Sequence, residues 1–296
     1  MHGSPPMRDN DGVPTGCLMT SIRSLCKIAS KLKPLRVFWV WDGGHSKFRK
    51  DYYPEYKSKN KRKQDPEDFE QNEDQFIAEW KIQVGLMEQY LPLLGVAQIR
   101  VNGCEADDLI YLMKDLFVRK EVAATVFLAT SDSDFNQLLD ESFKVYNLGK
   151  QRIFEAQDVL QDFGVTPAQW VDFRAMTGDP SDNINGVHGV GEKRAADILQ
   201  TFGSFANFLE KYGLETVQGA VKHYDAVYAN RQIVERNIRL MDLSLLPEGE
   251  VPVEQLAHQI LEGLNVKPDL KKFWNVCISH QLMTLTQESA MWKAVY

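Results

Sequence analysis

Residues 17–32 set Leu18, Ile22, Leu25, Ile28, Ala29 and Leu32 at helical spacing, so the first predicted element is an amphipathic helix. Residues 1–16 before it carry Pro5, Pro6, Gly12, Pro14 and Gly16 and read as loop. The run from Leu35 to Trp41 is apolar and β-rich, which predicts a strand buried on both faces; Asp42-Gly43-Gly44 ends it. Helical periodicity resumes from Trp80 to Leu94. Val96 to Val101 then predicts a strand, Glu105 to Arg119 a helix, and Thr125 to Thr130 a strand. A helix begins at Asp134 and runs to Leu139, and Lys144 to Leu148 predicts a short strand. Strands alternating with helices predict an α/β fold with a mostly parallel central sheet flanked by helices. From about Phe154 the strand signal fades. Residues 155–163, 167–177, 192–202, 204–212 and 225–240 read as short helices, so a smaller helical region follows the sheet without a long linker. There is no internal repeat and no low-complexity tract.

The composition narrows the class. A chain of 296 residues with 44% apolar and 25% charged residues can bury one large core or two modest ones. No apolar run approaches the roughly 20 residues of a membrane helix, and no secretory signal is visible, so no membrane is expected among the partners. The four cysteines, Cys17, Cys26, Cys104 and Cys277, form no CxxC pair and fit reduced thiols in a cytoplasm. The six histidines show no metal-ligand spacing.

Charge is unevenly distributed. Residues 47–63 hold eight Lys or Arg against two acids, with Phe48, Tyr52, Tyr53 and Tyr56 among them; residues 64–79 hold seven acids and no base. One reading is a solvated surface segment. The other is a strand-binding element, because lysines neutralise phosphates and aromatic rings stack on bases. The net charge of −7 argues weakly against a nucleic-acid binder, but distribution matters more than the sum.

The acids are grouped as Asp42; Glu105, Asp107 and Asp108; Asp132 and Asp134; and Asp179 and Asp182. Asp42 and Asp132 each follow a predicted strand, at the sheet edge where ligands bind in such folds. Acids in a first helical turn also stabilise the helix dipole or cap it, so any one group has a structural explanation. Together they would repel one another unless cations sit between them. Mg²⁺ favours hard oxygen ligands and keeps several waters, and two such ions ~3.5–4 Å apart suit phosphoryl transfer. After the last acids come Gly186, Gly189, Gly191, Lys193 and Arg194. Glycines that permit close backbone approach, ahead of a helix start with two bases, suit a phosphate contact that does not read the base. A plain helix–turn–helix with a glycine cap is the structural alternative.

These stretches resemble the 5′-nuclease superfamily, the phage flap endonucleases and 5′–3′ exonucleases and the 5′-nuclease domain of bacterial DNA polymerase I. The matching residues are Trp41-Asp42-Gly43 with Phe48-Arg49; Tyr53-Pro54-Glu55-Tyr56-Lys57; Gly103-Cys104-Glu105-Ala106-Asp107-Asp108; Thr130-Ser131-Asp132-Ser133-Asp134-Phe135; and Gly178-Asp179-Pro180-Ser181-Asp182-Asn183-Ile184 through Gly189-Val190-Gly191-Glu192-Lys193. Five motifs in the family's order, over roughly residues 12–245, make the resemblance specific.

The resemblance implies a PIN-like α/β nuclease domain over residues 1–178 with a helical arch at about 46–79. A helical DNA-binding region with a helix–three-turn–helix is implied over 179–296. It implies that Asp42, Glu105, Asp107, Asp108, Asp132, Asp134, Asp179 and Asp182 hold two Mg²⁺ ions, which Mn²⁺ can replace. Lys57 would contact the scissile phosphate, with Arg62 and Arg49 as further catalytic candidates; Asn60 stands where the family's arginine is usual. Tyr56, Lys59, Gly186, Gly189, Gly191, Lys193 and Arg194 would bind DNA, with a K⁺ ion at the glycine turn. The implied partners are DNA with 5′ flaps or single-strand/duplex junctions, and RNA–DNA primers, met by a monomer in a bacterial or phage-infected cytoplasm. One departure stands out. The family begins with a strand resembling LLIDGNN whose Asp is a metal ligand, whereas Val13 to Gly16 already matches the segment after it, and neither Asp9 nor Asp11 follows an apolar run. Three readings follow: a metal-dependent 5′-nuclease; a junction-binding protein that does not cut because that ligand strand is missing; or a metal phosphatase acting on small phosphate esters, which explains the acids but not the arch or the glycine turn.

Overall fold

The computed structural model describes residues 7–58, 66–121, 124–214, 221–247 and 249–289. Arg62 and Lys59 fall outside them. The fold is mixed α/β followed by a helical region, arranged as two compact units. One draws its described residues from within 1–42, 61–101 and 252–296, the other from within 43–60 and 102–251. The boundary expected at 178 is not where the units part, because the chain returns to its first unit for its last three helices.

In the first unit, helix Gly16–Leu32 buries Leu18, Met19, Ile22, Cys26 and Ala29. They pack with Met87, Tyr90, Leu91 and Leu94 of helix Pro66–Leu93 and its C-terminal end, and with Phe273, Cys277, Leu282 and Leu285. Strands Phe38–Val40 and Ala97–Ile99 pair in parallel, with Trp39 opposite Gln98. The run from Leu35 is thus shorter and less buried than expected: Phe38, Trp39 and Val40 are half-buried, and Leu35 is 83% exposed. The physical reason is partial cover on each side: Val37 and Trp39 pack against the core cluster around helix Gly16–Leu32, and Phe38 faces a later helix. Helix Val253–Gly263 lies so close that a Cβ on Gly263 would come within 2.7 Å of both Ala97 Cβ and Phe38 Cε1. The acid-rich stretch after residue 65 is helical and continuous with the helix expected only from Trp80.

Helix Gly16–Leu32 has no capping side chain of its own; Thr15 at its N-cap makes no such bond. Its first free amides, Cys17 and Leu18, instead donate to the buried Gln83 Oε1 at 2.7 and 3.4 Å. Gln83→Leu leaves those donors unpaired away from water, and is expected to cost about 1–3 kcal/mol of unfolding free energy. Urea denaturation reads this out; a midpoint equal to the parent's would refute the capping role.

The second unit contains strands Val126–Thr130 and Phe143–Asn147, paired in parallel, with Arg152–Phe154 antiparallel on the far edge. Helices Trp170–Thr177, Glu192–Phe202 and Arg231–Met241 supply much of its core, around Trp170, Phe173, Ile198, Leu199 and Val234. The helix expected from Asp134 is a tighter 3₁₀ turn, Asp134–Leu138. Gly178–Asp179 and Ile184–Asn185 form a small antiparallel hairpin. No helix among the described residues is long and apolar enough to cross a membrane.

Candidate active site

Apart from Asp42, the grouped acids lie in the second unit. Asp42 ends the first segment of the first unit, exposed, directly after Trp41.

Glu105 stands at the N-cap of helix Ala106–Arg119, and Asp107 and Asp108 occupy its first turn. The loop before it is zipped to the Gly43–Gly44 loop: Gly43 N–H donates to Cys104 O and Gly103 N–H to Gly43 O, both at 2.9 Å. Gly44, at φ +143°, sits where a Cβ would meet Gly103 Cα at 3.3 Å, so only glycine lets the two loops close.

Short helix Lys47–Tyr52 inserts Arg49 against these acids. The guanidinium is 3% exposed and donates from Nη1 and Nη2 to the two Asp108 oxygens at 2.9 and 2.7 Å. Nη1 also reaches Glu105 Oε2 at 3.2 Å, and Nε donates to Leu240 O at 2.9 Å. Burial lowers the Arg49 pKa, but the Asp108 carboxylate more than offsets this and keeps the group charged. Both Asp108 oxygens are therefore engaged, and Arg49 and Asp108 form a buried ion pair where the sequence pointed to a catalytic group and a metal ligand.

Tyr56, expected at a DNA surface, is 3% exposed. It packs with Ile184, Leu240 and Met241 and donates its hydroxyl to Glu105 Oε2 at 2.9 Å. Its ring has no free face for a base. Lys57 follows in a left-handed conformation, φ +48°. Its N–H donates to Asp182 O at 3.0 Å, and its Nζ lies 3.3 Å from Glu105 Oε2 and 3.8 Å from Asp182 Oδ2. Burial pushes Glu105 up, but Lys57, Arg49 and the Tyr56 hydroxyl outweigh it and hold the carboxyl below its usual range. Burial likewise works against the Lys57 charge, and Glu105, Asp182 and Asp107 more than restore it.

Asp179 and Asp182 project from the hairpin. A Cβ on Gly178 would lie 2.3 Å from Gly186 N, and one on Gly186 would lie 2.3 Å from Thr177 C. Gly186 thus serves close backbone packing that holds the acids, beside the phosphate contact expected of it. Asp179 Oδ1 accepts from Ser181 N and Oγ at 2.8 and 2.6 Å. Asn183 turns the hairpin at φ +58° and donates to Glu55 O and Ser58 Oγ, both at 2.9 Å.

Arg174, which nothing in the sequence reading singled out, bridges two acid groups. Its Nε is 3.1 Å from Asp134 Oδ1 and its Nη2 2.7 Å from Asp179 Oδ2. The available signal was a lone base in an apolar helix, one turn before Gly178. Asp132 is exposed; its Oδ1 accepts from Asp134 N at 2.9 Å. Burial, against the pull of Arg174 and with repulsion from Asp132 and Asp179, pushes Asp134 up to about 6. Burial also raises Asp182, helped by Asp179, Glu105 and Asp132 and opposed by Lys57.

Among the described residues no three His, Cys, Asp or Glu groups converge closely enough to hold one ion between them. Two observations nevertheless fit the donor set to divalent cations. Its carboxylates repel one another, and Glu105 Oε1 is buried without a hydrogen-bond partner.

Beyond the hairpin, Gly189, Gly191, Glu192, Lys193 and Arg194 line a shallow hollow of about 370 Å³. Gly189 turns at φ +77°, Arg194 Nη1 donates to Gly189 O, and Gly191 is the N-cap of helix Glu192–Phe202. Free amides and two exposed bases share that hollow, the chemistry of an anion site.

Residues 1–164 match the family described as 5′-3′ exonuclease, N-terminal resolvase-like domain, and residues 165–262 match 5′-3′ exonuclease, C-terminal SAM fold. A 5′-3′ exonuclease of Aquifex aeolicus is 29% identical over 208 residues, which cover 70% of this chain and 67% of that protein. A thermostable DNA polymerase I of Thermus filiformis is 36% identical over 199 residues, covering 67% of this chain but 22% of the polymerase. The 5′-exonuclease of phage T5, solved with zinc ions bound, superposes with a TM-score of 0.70 at 24% identity, over 87% of this chain and 93% of its own. The T5 flap endonuclease in complex with DNA and metal ions gives 0.68 at 23% identity, over 83% and 91%. These superpositions establish the fold.

Proposed function

The chain belongs to the 5′-3′ exonuclease family, and on that footing we propose that it is a structure-selective 5′-nuclease. It hydrolyses DNA phosphodiester bonds near single-strand/duplex junctions, in replication or repair. The observation that carries this is the gathering of three acid segments around Lys57 and Arg174. Glu105 and Asp182 share Lys57, Asp134 and Asp179 share Arg174, and Asp132 and Asp179 together raise Asp134. The T5 nucleases of the same fold, which hold divalent ions and DNA, support the reading.

Glu105, Asp107, Asp132, Asp134, Asp179 and Asp182 would hold the divalent cations, and all-oxygen donors favour Mg²⁺ with Mn²⁺ as a substitute. Bound there, two such ions supply activation of water and neutralisation of the leaving oxygen. The protein's own groups do the rest. Lys57, fixed by its left-handed backbone and the bond to Asp182 O, offers its ammonium to a non-bridging oxygen of the scissile phosphate as negative charge grows there. Arg49 and Tyr56 hold Glu105 Oε2 and so aim Oε1, which accepts no hydrogen bond and lies 3.6 Å from His45 Nδ1. The Gly189–Arg194 hollow receives duplex backbone phosphate, with K⁺ as an accessory ion at that turn.

Lys57→Ala tests this assignment. It removes one transition-state donor, so kcat is expected to fall about 10²–10³-fold with KM changed by less than about threefold. Lys57→Arg should recover part of the loss. Unchanged kcat in the alanine variant would remove Lys57 from the reaction.

A further inference from the structure

Helix Lys47–Tyr52 also carries two aromatic side chains beside Arg49. Phe48 and Tyr52, four residues apart, lie with ring planes 14° apart and centroids 6.2 Å apart. Arg239 of helix Arg231–Met241 places its guanidinium carbon 4.8 Å from the Tyr52 centroid and 5.5 Å from that of Phe48. Tyr52 is 41% exposed and Arg239 is exposed.

One helical turn earlier, Arg236 makes a similar stack, 4.6 Å over Tyr53, but uses its N–H groups within the protein. Its Nε and Nη2 donate to Asn237 Oδ1 at 3.0 and 2.7 Å, and Nη2 donates to Asn185 O at 3.2 Å. Arg236 is a packing residue. Arg239 differs: among the described residues its guanidinium makes neither a hydrogen bond nor an ion pair. The neighbouring cations are occupied, Lys47 with Asp51 and Lys50 with Tyr56 O. An arginine stacked on rings has already lost much of its side-chain freedom, while its planar N–H edge stays open. That edge matches a phosphate, which accepts two parallel N–H bonds.

We propose that Arg239, positioned by Tyr52 and Phe48, binds a backbone phosphate of the nucleic acid, a contact separate from Lys57 and from the glycine turn. The proposal rests on the nuclease reading above. The ligand chemistry is a phosphodiester monoanion; a single strand and a duplex both carry it.

The test uses the full chain in EDTA, so that DNA is bound and not cut. Fluorescence anisotropy measures affinity for a 5′-flap DNA, a single strand and a blunt duplex between 50 and 200 mM KCl. Arg239→Gln is expected to weaken binding about threefold to tenfold. It should also lower the slope of log K against log salt by about 0.7 if the phosphate is on a single strand, or about 0.9 if it is on duplex. The three DNAs show which strand is held. Arg239→Lys should keep the slope and lose part of the affinity. Arg119→Gln, at an exposed arginine already paired with Asp115, should change neither. Thermal melting of Arg239→Gln should match the parent. A parent-like affinity and slope in Arg239→Gln would overturn the proposal while leaving the nuclease reading intact. Failure of the parent chain to bind any of the three DNAs would overturn both.

Discussion

Asp132→Ala is expected to reduce DNA cleavage on the order of a thousandfold while leaving junction binding within about threefold. The asymmetry follows from what Asp132 touches. It is exposed, its N–H donates to Thr130 Oγ1 at 3.0 Å, and its carboxylate accepts a hydrogen bond from Asp134 N–H at 2.9 Å. Alanine therefore forfeits a single exposed turn contact, worth about 0.5–1.5 kcal/mol. It takes no cation away from a phosphate, so the contacts that bind DNA remain. What it removes is a carboxylate from the set proposed to hold divalent cations, whose stabilisation of developing charge is worth several kcal/mol, and about 4 kcal/mol is a thousandfold in rate. Single-turnover cleavage beside anisotropy in EDTA separates the two effects. A variant that binds and cuts like the parent contradicts the assignment of Asp132; one that loses binding as well points to a structural role.

Arg49→Ala is expected to destabilise the protein by about 3–5 kcal/mol. Arg49 and Asp108 are 3% and 1% exposed, so truncating the arginine strands a carboxylate that water does not reach. Leu240 O loses its Arg49 Nε–H donor as well. Lysine does not substitute, because one ammonium cannot span both Asp108 oxygens. The informative variant is Arg49→Met combined with Asp108→Leu. It exchanges the pair for apolar groups of similar size, and is expected to recover most of the loss, since a buried pair gains little over a well-packed apolar one. Glu105 keeps Lys57 and Tyr56 as partners in that background. Urea denaturation of the two single variants and the double closes the cycle. Losses that simply add would show that Arg49 and Asp108 act independently.

Where a segment's period and its burial agree, the sequence was readable. Thr125–Thr130 and Lys144–Leu148 were expected as strands, and the strands are Val126–Thr130 and Phe143–Asn147. Readability failed where the deciding contact is remote in sequence. Helix Val253–Gly263 returns to pack on Ala97, so a division into compact units could not be read along the chain. For the stretch after residue 65 charge alone left a solvated surface segment and a strand-binding element both open; its Glu and Gln content suits the helix that continues into Trp80–Leu93. Tyr56 looked like a base-stacking ring because lysines surround it; its burial depends on Ile184, Leu240 and Met241. Arg174 was invisible for the same reason, since its partners Asp134 and Asp179 lie on two other segments. The acid groups themselves were legible as a spacing pattern. Their sharing of Arg49, Lys57 and Arg174 was not.

The central claim is that these acids serve phosphodiester hydrolysis, and it meets its most direct test in a cleavage assay of the parent chain. A 5′-labelled flap DNA is incubated with the protein in Mg²⁺, in Mn²⁺ and in EDTA, and the products are sized. The account predicts cutting near the junction in either metal and none in EDTA. Junction DNA bound but left whole in both metals would contradict it, and would identify the paired acids and arginines as the framework of a protein that holds junctions without cutting them.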